Sequence, residues 1–226
     1  MDWEKFSEGF GEFLEANRAW IIALAAVVLV VGALVLIRAR KKKTGESAWT
    51  IRELSAAAMC LALGFLLSFV KLWQMPQGGS VTLASMLPVL LFAYIYGTPK
   101  GLLVGFAYAL LQCLQDFWVV HWAQFFLDYI FAFTILGLAG LFKKSILPGM
   151  IIACVLRYAS HVISGVIFFA SYAAESGQEL WPYSLGYNSF VLIDLAICFV
   201  IVVIPPVSEM IQRFKRQALK SAPKSV

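Results

Sequence analysis

The chain has 226 residues, of which 61% are hydrophobic and only 14% charged. A soluble domain sits near half apolar and a quarter charged, so this composition excludes an ordinary soluble protein and indicates a polytopic membrane protein. The net charge of +5 resides almost wholly in short loops and tails, which argues against a nucleic-acid surface.

Residues 1–19 are polar and acidic, with Phe6, Phe10, Phe13 and Leu14 at helical spacing. This pattern predicts a short amphipathic helix at the membrane surface. Residues 20–37 form an apolar run of 18, enough for one crossing. The run is not a cleavable signal, because the acids precede it and the basic residues Arg38, Arg40, Lys41, Lys42 and Lys43 follow it. A polar linker at 44–47 comes next.

Six further spans are predicted at 53–72, 81–97, 101–115, 123–142, 148–170 and 187–206. The breaks between them carry Gly and Pro, among them Gly78-Gly79, Gly97 with Pro99, and Pro205-Pro206. The span at 101–115 is short, as a tilted or broken helix would be. The chain thus divides into an N-terminal segment with an extra helix (1–49), a six-helix membrane domain (50–206) and a basic tail (207–226). Cys60, Cys113, Cys154 and Cys198 each fall within a predicted span and none belongs to a CxxC pair. They read as packing residues, with neither a disulfide framework nor a metal site.

Charge orients this layout. If the first span runs inward, segments 38–52, 97–101, 143–147 and 207–226 are cytoplasmic and hold 14 of the 18 Lys and Arg. Positive residues collect on the cytoplasmic side, so the N-terminus is expected outside and the C-terminus inside. The polar clusters at 71–80, 116–122 and 172–187 then converge on the outer face.

Several residues there carry chemistry. Asp128 lies about one helical turn inside the fourth of the six spans, where a carboxylate needs a cation, a donor or water beside it. Tyr129 follows it, and Trp118 precedes it. Trp and Tyr at this depth also serve as interfacial belt residues. His161 is four residues after Arg157 and shares its helix face. Arg157 and Asp194 fall at similar depths, and a structural ion pair is expected between them. Asn188 and Tyr183 add hydrogen-bonding groups, and Phe169 adds a flat apolar face. Stacking surfaces with one carboxylate, one amide and one imidazole suit a planar, cationic heteroaromatic solute. Ala58 and Ala62 form a small-xxx-small pair that lets another helix approach closely, within the chain or from a partner. No GxSxG, HExxH or nucleotide-binding P-loop occurs, so neither an enzyme nor an autonomous pump is expected.

The segments His161–Ala173, Tyr183–Asn188 and Gln124–Tyr129, with 136–142, resemble the thiamin-specific S components of energy-coupling factor transporters, the ThiT or YuaJ family. The likeness covers about residues 50–206. It implies an all-α, six-helix bundle in the bacterial cell membrane, here preceded by one extra transmembrane helix, with thiamin as ligand and no cofactor. It also implies binding positions at His161, Tyr183 and Asn188, an acidic-aromatic pair at Asp128 and Tyr129, and aromatic contacts at Phe169, Trp118 and Trp73. The family often has Glu in place of Asp128 and Trp in place of Phe169, which changes reach and stacking area. Ala58 and Ala62 match a surface that docks a transmembrane coupling protein, itself joined to two ATPases. The rival readings are an S component for another vitamin or a thiamin precursor, an intramembrane enzyme using His161 and Asp128, and a scaffold without a ligand.

Overall fold

The computed structural model describes residues 49–76, 78–115 and 118–221. The acidic segment, the first span and the basic run that follows it lie outside the described residues.

Helix α1 (Ile51–Ser68) starts at a reciprocal cap: Thr50 Oγ1 accepts from the Glu53 amide, and Glu53 accepts from the Thr50 amide. Glu53 also pairs with Lys100, whose ammonium lies over the Trp49 ring. Only Ala57, Gly64 and Ser68 of α1 are buried; Leu54, Ala58, Met59, Ala62, Leu63 and Leu66 are exposed. Helix α1 therefore packs along a narrow stripe and presents the rest to lipid or a partner.

Two predicted spans are shorter than expected. α1 ends at Ser68, and a two-stranded antiparallel hairpin follows, β1 (Lys71–Gln74) and β2 (Ser80–Thr82). The apolar letters of 69–72 and 81–83 thus belong partly to strands, whose period of two was masked by the short length. Gly78 turns the hairpin at φ +91°, a conformation that suits glycine.

Helix α2 (Leu87–Tyr96) has ten residues, and Val89, Leu90, Phe92 and Ala93 are fully buried. Its apolarity serves the protein core on all sides. Helix α3 (Thr98–Gln112) follows after Gly97, and it lies against helix α4 (Trp122–Leu141) with backbone nearly in contact. A Cβ at Gly137 would sit 2.3 Å from the Leu102 amide nitrogen.

Helix α4 is not uniform. It is α-helical at Trp122–Phe125, π-helical at Phe126–Phe131, α-helical again at Ala132–Thr134, and 3₁₀ at Ile135–Leu141. The π segment carries Asp128 and Tyr129, and such segments frequently accompany functional sites. Helix α5 (Leu147–Phe168) buries one stripe, including Met150, Ala153, Cys154, Arg157, His161 and Ser164. Short α6 (Ala170–Glu175) and α7 (Leu180–Tyr187) lead into α8 (Phe190–Val203). α7 and α8 together make an apolar stretch of 24 residues that begins before the predicted span.

Segments α1, α4, α5 and α7–α8 are each long and apolar enough to cross a membrane; with α2 and α3 they form the six-helix bundle. The expected basic tail is largely a helix, α9 (Pro205–Ser221). Lys215 of α9 is buried, donates to the Lys143 carbonyl at 2.8 Å and lies 3.3 Å from the Tyr94 ring centre.

Candidate binding site

A cavity of about 130 Å3 opens among α3, α4, α5, α7, α8 and the hairpin. Asp128 stands in its wall. The π segment turns this carboxylate toward α5, where His161 Nδ1 lies 2.9 Å from Oδ1 and Ser164 Oγ donates to Oδ2 at 2.7 Å. Gln124 Nε2, one turn earlier on α4, donates to Oδ2 at 2.9 Å. Three neighbours on two helices therefore fix one carboxylate, as a charge within the bilayer requires.

Asn188 lies at the junction of α7 and α8. Its Nδ2 donates to the Ser184 carbonyl at 2.9 Å and to the His161 carbonyl at 3.2 Å. Ser184 Oγ in turn donates to the Val162 carbonyl at 2.8 Å. These bonds need α5 and α7 in close contact, which Gly165 permits: a Cβ there would fall 2.2 Å from Ser184 Oγ. The amide nitrogen of Asn188 thus holds the helix that carries His161.

Aromatic groups complete the wall. Tyr129, Phe169, Tyr183, Tyr187 and Trp118 line the cavity. Tyr129 OH accepts from the Trp118 amide at 2.9 Å, and Tyr183 and Tyr187 stack at 6.0 Å. Tyr187 OH accepts from the Gly79 amide at 3.3 Å, which ties the hairpin to α7.

A family model described as thiamine transporter protein (Thia_YuaJ) matches residues 54–214. The thiamine transporter ThiT of Bacillus subtilis is 34% identical over 180 residues, covering 69% of this chain and 90% of that protein. The chain belongs to the thiamine transporter family. The ThiT of Lacticaseibacillus paracasei is 29% identical over 123 residues, 46% of this chain and 61% of that protein. A solved structure of ThiT from Listeria monocytogenes matches the fold at a TM-score of 0.62 and 24% identity, over 71% of this chain and 97% of that chain. The family is one of transporters rather than enzymes, and this member is a multi-pass membrane protein.

Within this thiamine transporter family member, seven of the eight side chains expected at the ligand share one cavity: Asp128, Tyr129, His161, Phe169, Tyr183, Asn188 and Trp118. Trp73 does not line it; on β1 this residue is 67% exposed.

The expected ion pair between Arg157 and Asp194 is not made. Asp194 accepts from the Thr82 amide at 2.8 Å and from Thr82 Oγ1 at 3.1 Å. Arg157 stacks on the Phe133 ring at 4.4 Å and directs Nη1 to Met86 Sδ at 3.4 Å. Both residues line the cavity. β2, absent from the sequence reading, delivers Thr82 to the carboxylate, and the Arg157 guanidinium lies over Phe133 instead. Gln112, Gln115, Gln124 and Ser164 were also missed. Each is a neutral polar residue in an apolar run, and their spacing was the signal available: Gln124 and Asp128, and likewise His161 and Ser164, sit on common helix faces.

Proposed function

We propose that this protein captures thiamin at the outer face of the membrane, as the substrate-binding subunit of an energy-coupling factor transporter. The observation that carries this reading is the placement of Asp128. Its carboxylate is held by His161, Ser164 and Gln124 beside the rings of Tyr129, Phe169 and Tyr183. An oriented carboxylate stabilises the cationic thiazolium, and the rings add stacking and cation–π attraction of ~0.5–2 kcal/mol. The cavity carboxylates Asp128 and Asp194 outnumber its one arginine, Arg157, which favours a cationic solute over an anionic one. The names of the Bacillus and Lacticaseibacillus relatives support the same ligand.

Energy must come from another chain, because the sequence holds no nucleotide-binding motif. Ala58 and Ala62 are exposed on α1 and form the surface we assign to the transmembrane coupling protein, which works with two ATPases. The distribution of Lys and Arg supports an external N-terminus and a cytoplasmic C-terminus. In this reading residues 50–206 bind the solute, and the basic tail from residue 207 lies on the cytoplasmic side.

Equilibrium titration of the purified protein, followed by intrinsic tryptophan fluorescence, tests this function. Trp118 borders the cavity, so thiamin is expected to quench in a saturable way while riboflavin and biotin do not. A protein that responds to riboflavin or biotin and ignores thiamin would refute it.

A further inference from the structure

Among the described residues, three buried side-chain nitrogens have no hydrogen-bond partner: Gln112 Nε2, Arg157 Nε and His161 Nε2. All three residues line the one cavity described above. Arg157 is the extreme case. Its side chain is buried, and its neighbours are a phenyl face and a thioether sulfur, which is a weak acceptor. A buried guanidinium without an oxygen or nitrogen acceptor is costly. The arrangement makes physical sense if a bound molecule supplies the acceptor.

Position along the helices shows where that acceptor sits. Arg157 is one turn, about 6 Å, further into the bundle along α5 than His161. Asp194 is about 6 Å along α8 from its first residue, Phe190, beyond the junction that holds Asn188. The two residues therefore form the floor of the cavity, below the carboxylate of Asp128. Asp194 receives its hydrogen bonds from Thr82. A carboxylate has about four lone-pair sites, so it retains capacity to accept from a ligand. The floor thus offers a donor, Arg157, and an acceptor, Asp194.

We infer that Arg157 and Asp194 form a floor subsite for an uncharged group that both accepts and donates hydrogen bonds. This inference rests on the thiamin reading and deepens it. A permanent cation is repelled by Arg157 and attracted by Asp128, so the thiazolium stays in the upper part. A phosphate is disfavoured by Asp194. The aminopyrimidine edge, a ring nitrogen beside an exocyclic amine, matches the donor–acceptor pair of the floor. A primary hydroxyl has the same dual character, and thiamin also carries one. Arg157 and Asp194 are in this view specificity-determining residues.

The test crosses variants with solutes. Wild type, Arg157→Lys and Asp194→Asn are titrated with thiamin, with oxythiamin (keto in place of the amine) and with an analogue bearing ethyl in place of hydroxyethyl. Wild type is expected to prefer thiamin over oxythiamin by about tenfold or more, as sites built around a hydrogen bond do. In Asp194→Asn that preference should fall to roughly threefold or less, with the preference over the ethyl analogue unchanged. If the second preference collapses instead, the floor subsite stands with the hydroxyl as its occupant. Equal losses for all three solutes in both variants would overturn the proposal, since a merely structural role predicts that pattern. Should one variant fail to fold in a thermal melt, the other decides the matter. Failure of wild type to bind thiamin would instead strike the functional reading itself.

Discussion

The side-chain amide of Asn188 donates to the main-chain carbonyl of His161 at 3.2 Å, across the gap between the α7–α8 junction and α5. The same nitrogen bonds the Ser184 carbonyl, and Ser184 bonds Val162. A residue expected to contact ligand is therefore also a clamp that sets the position of the imidazole. Asn188→Ala removes two buried hydrogen bonds, which should lower stability by about 1–3 kcal/mol. Thermal unfolding of the purified variant should show this loss together with weaker thiamin binding. A variant that melts like wild type would remove the clamp from the account.

Asp128 is the centre of charge in the proposed site, and its substitution separates charge from shape. Asp128→Asn keeps the volume while removing the charge that attracts the thiazolium, and thiamin affinity should fall by about tenfold or more, on the order of 1.4 kcal/mol. His161→Ala frees one carboxylate oxygen and removes a ring from the wall, with a loss of at least similar size. Fluorescence titration measures both. Unchanged affinity in the two variants would show that thiamin binds elsewhere.

Gly137 probes the fold rather than the site. Its missing Cβ would lie 2.3 Å from the Leu102 nitrogen and 2.4 Å from the Gly101 carbonyl carbon, atoms of backbone that cannot rotate away. Gly137→Ala must push α3 from α4, at a loss of about 3 kcal/mol or more. A drop in folded yield and melting temperature is expected, and wild-type stability would disprove the close approach.

The bundle was legible in the sequence wherever apolar runs were long, as for α1, α4 and α5. It was less legible near Gly78-Gly79, because β1 and β2 are too short to display alternation beside flanking helices. That omission had a consequence at the site. Thr82, brought in by β2, occupies the carboxylate of Asp194 that similar depth alone had paired with Arg157. The convergence of Asp128 and His161 could be expected from two polar residues on outer helix ends. The π segment that aims Asp128 could not, since residues 126–131 read as ordinary helix. Trp73 carried the same aromatic signal as Trp118, yet only contacts between strands and helices decide which one faces the cavity.

Ala58 and Ala62 are exposed on the lightly buried helix α1. If they dock the coupling protein, Ala58→Leu with Ala62→Leu blocks close helix approach without touching the cavity. Thiamin binding by the purified variant should equal wild type, while uptake into cells carrying the coupling module should be lost. Retained uptake would move the docking surface away from α1.

Lys215 gives α9 a dependence on pH. Burial, with the nearby charge of Lys143, pushes its ammonium down to about 8, against about 10.4 in an unfolded chain. Between these values the native protein has released the proton that the unfolded chain still holds. Stability therefore rises with pH across that window, as the unfolded state binds more protons there. Below about pH 8 both states hold the proton, and the folded state bears the full penalty of a buried charge. Lys215→Met lacks this term. Melting temperatures of the two proteins, compared at pH 7.5 and pH 9.5, should shift in favour of wild type at the higher value. A constant difference between them would show that the Lys215 ammonium titrates as an ordinary surface lysine.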